Sequence, residues 1–298
     1  MQALQYSSYG GPEVLTVGPA PDPQAGPGQV RITVSAVGVN PLDWKIRAGY
    51  LAQGQPLQGT GYVGFEAAGV VDQVGEGVTG VSLGDDVFGL GSNTAAELAV
   101  LDAWAAKPAA VDWSVAAGVG VAAETSIRVL DLLGVGPGST VLVDGGAGGV
   151  GAVAVQVAVA RGATVVASAG EHNQGYLTEI GAIPVRYGDG LVDRVRAAAP
   201  RGVDAVFDVA GKSAPAELVR LVAEPSQVVS IANFSGEAGI RATGGGESDR
   251  SAALAEAARL LEQNALVVKV QTFPLARAAE AYQISEGGHL RGKLVLLP

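Results

Sequence analysis

TVLVDGGAGGVGAVAVQVAVARGATVVAS, Thr140–Ser168, decides the fold of this chain. Thr140 to Asp144 is a short apolar run of the kind buried on both faces of a parallel sheet. Gly146, Gly148 and Gly151 follow it in G-x-G-x-x-G spacing and open an apolar stretch of helical length. Gly162 closes that stretch, and Ala163 to Ser168 reads as a second strand. Glycines at these positions permit a tight turn, a backbone approach to a pyrophosphate, and close helix–strand packing. The unpaired N–H groups and positive end of the following helix then hold the anion. Strand, turn, helix and strand fall where a dinucleotide-binding βαβ unit needs them.

Strands and helices keep alternating downstream. IPVRY is followed by a helix around Val192 to Ala198, then DAVFDVAG (Asp204 to Gly211), a helix over Ala214 to Val222, and QVVSIAN (Gln227 to Asn233). The pattern predicts a Rossmann-type doubly wound parallel sheet. Upstream, a helix is expected around Val121 to Leu133. Before it the chain reads as short strands separated by Gly/Pro/Asp turns, with VRITVSAVGV (Val30 to Val39), AAGVVDQVG (Ala67 to Gly75) and AELAVL (Ala96 to Leu101) the clearest. SDRSAALAEAARLLEQNA reads as a helix, and VVKVQTF and GKLVLLP return to strands around a helix over Leu275 to Glu286. The expected fold class is α/β with an added β-rich domain: residues 1–114 and 265–298 form the β-rich part, and 115–264 the dinucleotide-binding part.

Composition narrows the chemistry. At 298 residues, two domains are expected. There is no cysteine, so disulfides, thiolate metal sites and a cysteine nucleophile are excluded, and two histidines, His172 and His289, cannot build an all-histidine metal cluster. A net charge of −10 disfavours nucleic acid and anionic membranes as partners, so any phosphate site must be local. The start, MQALQYSSYG, has neither a basic stretch nor an apolar core, which predicts a cytoplasmic protein without a signal peptide.

At the end of the second strand, where a carboxylate commonly holds the ribose of NAD, this chain has Ser168, and the nearest carboxylate, Glu171, falls in the next loop. A carboxylate repels a 2′-phosphate, whereas Ser168 and loop amides can accept one, so NADPH is expected over NADH. SAGEHN offers no Arg or Lys there, only His172 and Asn173.

The chain resembles the medium-chain dehydrogenase/reductase superfamily, in its zinc-free quinone oxidoreductase-like branch. The resemblance runs over nearly the whole length and rests on AVGVNPLDWKIRAG (Ala36 to Gly49), GFEAAGVVDQVGEGVTGVSLGDDVFG (Gly64 to Gly89), GGAGGVG, FPLARAAEAY and GHLRGKLVL. It implies that the β-rich part is a GroES-like catalytic domain. Zinc alcohol dehydrogenases of the superfamily carry Cys where this chain has Asn40, and His where Phe65 precedes Glu66. The resemblance therefore implies hydride transfer from NADPH, without a metal, to a quinone or to the conjugated C=C of an enone or enoyl substrate, in a cleft between domains. It also implies cofactor contacts from Asn40 and Thr125 near the nicotinamide, from Gly146, Ala147, Gly148, Gly149, Val150 and Gly151 at the pyrophosphate, from Ser168, Asn173 and Tyr187 at the adenosine 2′-phosphate, and from Asn233 and Phe234 near the nicotinamide.

Tyr50 is the first candidate for proton donor, with Lys45 and Tyr62 behind it. Glu66 reads as a structural carboxylate, and Arg291 and Lys293 as a solvated turn, with cofactor contact the alternative. A homodimer is implied, with SQVVSIAN a candidate participant, although a buried central strand explains its apolar run as well. Two other readings fit the same sequence: a non-redox lyase or cyclase on this fold, and a binding protein that senses NADPH without turnover.

Overall fold

The structure is a computed structural model that describes residues 1–246, 248–288 and 290–298, so His289 lies outside the described residues. The chain divides into two compact units, Met1–Val121 with Arg250–Glu262 and Val268–Pro298, and Ala122–Asp249 with Gln263–Val267.

The first unit opens with β1 (Gln2–Tyr6), β2 (Thr16–Pro19), β3 (Val30–Val39), α1 (Pro41–Arg47), β4 (Gly61–Tyr62), β5 (Glu66–Val74), β6 (Asp86–Gly91) and β7 (Leu98–Ala106). Strand β3 pairs antiparallel with both β5 and β7, and β6 joins those two, so the four strands close on themselves. Closure leaves no free edge among them. Bulges in β3 at Arg31/Ile32 and Val34/Ala36 bend it enough to serve both neighbours. Ile32, Val37, Leu101 and Leu296 fill the interior. Each such side chain, fully buried, contributes roughly 1.5–3 kcal/mol.

Helix α2 (Trp113–Leu132) runs from the first unit into the second. There follow β8 (Thr140–Asp144), α3 (Gly149–Ala160), β9 (Thr164–Ala169), α4 (Gln174–Glu179), β10 (Ile183–Arg186), α5 (Leu191–Ala198), β11 (Ala205–Asp208), α6 (Pro215–Leu218), β12 (Val228–Ser230) and β13 (Arg241–Ala242). Six strands lie in the order β10-β9-β8-β11-β12-β13, all parallel, with the order reversing beside β8. This is the Rossmann arrangement, and ligands of such sheets bind beyond the carboxyl ends at the reversal. Val141, Leu142 and Val143 are fully buried, as a central parallel strand requires. Helix α3 is apolar apart from Gln156 and is buried from Gly151 to Ala158.

The chain returns to the first unit through α7 (Arg250–Glu262), which packs on β7, and ends in β14 (Val270–Pro274), α8 (Ala278–Gly287) and β15 (Lys293–Leu297). Strand β15 pairs parallel with β14 and antiparallel with β3.

Two expectations differ from the structure. The helix expected around Val121 starts at Trp113, because the small residues Ala116, Ala117, Gly118 and Gly120 let its first turns pack tightly on the β-rich unit. Residues 250–262, read with the dinucleotide-binding part, group with the β-rich unit. Of the two readings of SQVVSIAN, the structure has the internal strand: β13 pairs along its outer side, and Val228, Val229 and Ser230 are buried.

Candidate functional site

In the second unit the site starts with the turn after β8. Gly145 sits at φ +97°, where a side chain would be strained, and a Cβ on it would meet that of Ala210 at 2.8 Å. A Cβ on Gly151 would lie 2.2 Å from the Gly145 carbonyl oxygen and 2.8 Å from Gly146 Cα. Helix α3 is thus held against the turn by backbone contact alone, and Gly148 caps it in an extended conformation without any capping side chain. The first N–H groups of a helix have no intrahelical partner. A cradle of bare backbone at a helix N-terminus suits a pyrophosphate, and these residues fit a dinucleotide cofactor.

A buried polar ladder supports the turn. The register sets Ser168 beside Asp144, Asp144 beside Asp208, and Asp208 beside Ser230, at the carboxyl ends of β9, β8, β11 and β12. Ser168 Oγ donates to Asp144 Oδ1 and accepts the Gly145 N–H at 3.0 Å. Ser230 Oγ donates to Asp208 Oδ2 at 2.7 Å and accepts the N–H groups of Ala232 and Asn233. Burial pushes the Asp208 carboxyl up, and the Asp144 charge adds to that. One ladder therefore fixes both the glycine turn and the loop bearing Asn233 and Phe234. Phe234 is exposed, and Asn233 Oδ1 accepts the Ser235 N–H.

This placement corrects one expectation. Ser168 is completely buried with its hydroxyl used internally, so it is not presented to a phosphate. Asn173 is buried too, with its amide against the His172 ring. Tyr187 is exposed, and it lines a cavity of about 250 Å³ with Gly170, Glu171, Arg186 and Arg194. The sequence reading missed both arginines because Arg186 ends the next strand, β10, and Arg194 lies on α5, beyond the motif around β9. Thr125 is buried on α2, and its neighbour Ser126 donates to the Val150 carbonyl at 3.1 Å, tying α2 to the turn.

In the first unit, strand register gathers three polar residues at one end of β15, β3 and β5. Leu294 lies opposite Val39, and Val37 opposite Ala67. Lys293, Asn40 and Glu66 are therefore neighbours, and all are buried. Lys293 Nζ donates to Glu66 Oε1 at 2.8 Å and to Asn40 Oδ1, while Asn40 Nδ2 donates to Glu66 Oε1 at 2.8 Å. Glu66 Oε2 accepts the Val121 N–H at 2.7 Å. The Asn40 carboxamide thus has one orientation. Lys293, expected in a solvated turn, is 4% exposed and serves as the internal counter-charge of Glu66.

Beside this cluster Asp43 Oδ2 accepts the Asn40 N–H at 2.7 Å and the Tyr282 hydroxyl at 3.3 Å. Burial pushes the Asp43 carboxyl up to about 7, with the Asn40 N–H and the Lys293 charge opposing, and pushes the Tyr282 phenol up as well. Tyr50 is 69% exposed and meets the Trp44 ring edge-on at 5.9 Å between centroids. Lys45 Nζ lies 5.8 Å from the same ring. These two share an aromatic corner on α1 and the turn after it, and neither bonds to Asn40.

The residues do not fit a zinc ion. Two of the positions that hold zinc in the alcohol dehydrogenases are Asn40 and Phe65, neither a useful ligand. The carboxylate left there, Glu66, is already spent on an ammonium, an amide and a backbone N–H.

Two family descriptions match the chain: "Alcohol dehydrogenase GroES-like domain" over residues 26–128 and "Zinc-binding dehydrogenase" over residues 180–296. The chain is 30% identical to the NADPH-dependent alkenal/one oxidoreductase, chloroplastic, of Arabidopsis thaliana, across 100% of this chain and 80% of that protein. It is also 36% identical, over 74% of its length, to a segment of the Mycoketide-CoA synthase of Mycobacterium tuberculosis, of which the match covers only 5%. The quinone oxidoreductase of Coxiella burnetii superposes with a TM-score of 0.85 at 28% identity, covering 100% of this chain and 99% of that one. The matched domains, the reversing parallel sheet with its glycine turn, and these relatives together mean that the chain belongs to the medium-chain dehydrogenase/reductase superfamily, in its quinone oxidoreductase-like branch.

Proposed function

We infer that this oxidoreductase reduces a conjugated C=C of an enone or enoyl compound, or a quinone, with NADPH and without a metal. The observation that carries the reading is the bare backbone turn at Gly145–Gly151, packed so closely that a Cβ on Gly145, Gly146 or Gly151 would collide with its neighbours. When bound, the reduced nicotinamide supplies hydride. In a conjugated acceptor the substrate's own carbonyl takes the resulting charge, so no Lewis acid is required. What the protein must add is a donor for the enolate-like oxygen and a proton. Asn40 has one amide hydrogen beyond that given to Glu66, held in a fixed direction by Lys293, and suits the first task. The exposed phenol of Tyr50 suits the second. The name of the Arabidopsis relative supports NADPH and an alkenal or enone acceptor. The likeness to a synthase segment supports adding enoyl thioesters to the substrates worth trying.

The test is NADPH oxidation by the purified protein against a panel of quinones, simple enones and enoyl thioesters. Turnover on at least one class is expected. NADPH binding with no turnover on any acceptor would turn the reading to a sensor, and no binding at all would remove it. Tyr50→Phe is expected to lower kcat about tenfold or more on a working enone with NADPH affinity unchanged, and an unchanged kcat would assign proton delivery to water.

A further inference from the structure

We propose that the buried Glu124–Arg128 ion pair on α2 is a positioning element: it ties down the segment after β13 and thereby seats the Asn233–Phe234 loop at the nicotinamide end of the cofactor site. The pair acts on that site through other residues, so its role rests on the cofactor reading above. Glu124 and Arg128 stand one helical turn apart, and both are buried. Arg128 Nε donates to Glu124 Oε1 at 2.8 Å, and each partner also reaches the same short segment. Arg128 Nη1 donates to Thr243 Oγ1 at 2.6 Å, and Glu124 Oε1 accepts the Ser248 hydroxyl at 2.6 Å. One turn further along α2, the Leu132 carbonyl accepts Arg241 Nη1 at 3.4 Å. Glu124, Arg128 and Leu132 share one face of the helix, so the chain from Arg241 to Ser248 runs antiparallel along that face.

The segment needs such ties. Thr243 and Ser248 bracket Gly244, Gly245 and Gly246. Gly245 and Gly246 take φ of +124° and +85°, and a Cβ on either would meet nothing within 4 Å. These glycines neither pack nor stiffen the chain, and glycine loses more backbone freedom on ordering than any other residue. A hydrogen bond to a charged group on each side of them offsets that loss. Well-packed apolar residues in place of a buried ion pair are often no less stable. They could not orient the Thr243 and Ser248 hydroxyls, and that orientation is what the pair supplies.

Two contacts carry the ordering to the site. The Phe234 ring faces Gly244, where a Cβ would touch its carbons at 3.7 and 3.9 Å. The Thr243 N–H donates at 3.1 Å to the carbonyl of Ser230, the residue whose hydroxyl accepts the Asn233 N–H. On the helix itself, Ser126 holds the Val150 carbonyl of the glycine turn. Helix α2 thus fixes the turn through Ser126 and the Phe234 loop through Glu124 and Arg128, with Thr125 between them.

Trypsin reports the tie without any cofactor, because Arg241 is exposed beside it. The full chain and its Thr243→Val, Thr243→Ser and Ser248→Ala variants are digested briefly, and cleavage after Arg241 is followed by mass spectrometry. NADPH and 2′-phospho-ADP-ribose, a fragment that lacks the nicotinamide, are titrated against each protein, and kcat is measured on a working acceptor. Thr243→Val and Ser248→Ala should each speed the cleavage about fivefold or more, whereas Thr243→Ser keeps the hydroxyl and should match the parent. Thr243→Val should also weaken NADPH about threefold or more with the fragment unaffected, and lower kcat by about threefold or more. Unchanged cleavage in both Thr243→Val and Ser248→Ala would overturn the tie. Faster cleavage with kcat and the ratio of NADPH to fragment affinity both unchanged would overturn its role at the nicotinamide and leave the cofactor reading intact. A parent that binds neither ligand would overturn the cofactor reading and that role together, and the cleavage rates would still decide whether the pair holds the segment.

Discussion

Asp144 and Asp208 stand in register on adjacent parallel strands, each buried and each holding a serine of the next strand outward, Ser168 and Ser230. Two acids side by side at the carboxyl end of a sheet are costly, since each loses solvent and each repels the other. They persist because the serines convert that cost into placement: one receives the Gly145 N–H and the other the Asn233 N–H. Ser168→Ala would strand the Gly145 N–H and remove the donor to Asp144, whose other oxygen has no hydrogen-bond partner. A loss of about 1–3 kcal/mol in urea denaturation is expected. NADPH and NADH affinities should change together, and a selective loss of NADPH would return Ser168 to the phosphate site.

Gly151→Ala probes the turn itself. The new methyl would be forced onto the Gly145 carbonyl and Gly146 Cα, which are backbone and cannot rotate away. Either α3 shifts outward or the turn opens, and both spoil the cradle. Overpacking of this kind costs about 1–3 kcal/mol. NADPH affinity should fall at least tenfold while circular dichroism shows a folded protein. Retained affinity would mean that the pyrophosphate rests elsewhere.

Much of this was legible because local chemistry and global fold agreed. Thr140–Ser168 combines a buried strand, a glycine turn and a Gly-terminated helix in one window, and the structure keeps all three. Strand β3 matches the apolar run Val30 to Val39 residue for residue. What the sequence hid depends on register between distant strands. Nothing near Lys293 in the chain says that Asn40 and Glu66 will lie beside it, and a lysine near the C-terminus before an apolar run reads as solvated. The same holds for Ser168, whose position suggested a ligand contact until its register with Asp144 turned it inward. Arg186 lies at the end of β10, one strand beyond the motif, so the motif does not point to the cavity it lines.

The Asp43 carboxyl gives the fold a defined pH response. In the native protein it keeps its proton up to about pH 7, whereas in the unfolded chain it ionises near its ordinary value of 3.8. Between those values the native state binds more protons, so this group's contribution to stability falls as pH rises. The slope approaches about 1.4 kcal/mol per pH unit at most. Asp43→Asn keeps an acceptor for the Asn40 N–H and the Tyr282 hydroxyl and removes the ionisation. Denaturation between pH 5 and 8 should show the variant gaining on the parent as pH rises to 7, then running parallel to it. Parallel curves across the whole range would show that Asp43 ionises normally.

Lys293 and Glu66 should behave as one unit. Lys293→Met leaves the Glu66 carboxylate buried with an amide and a backbone N–H as its remaining partners, a change that commonly costs about 3–5 kcal/mol. Glu66→Gln leaves the Lys293 ammonium equally stranded, held by the Asn40 carbonyl oxygen alone among its charged and polar partners. The double variant Glu66→Gln with Lys293→Met buries no charge at this place, so it should recover most of the lost stability. It should not recover activity, because the Asn40 carboxamide loses the ammonium that fixes its direction and can turn. A double-mutant cycle by urea denaturation, paired with kcat and KM on a working acceptor, separates the two outcomes. Recovery of stability with kcat still depressed and NADPH affinity kept is the expected result. If kcat returned along with stability, Lys293 would be a counter-charge for Glu66 and nothing more.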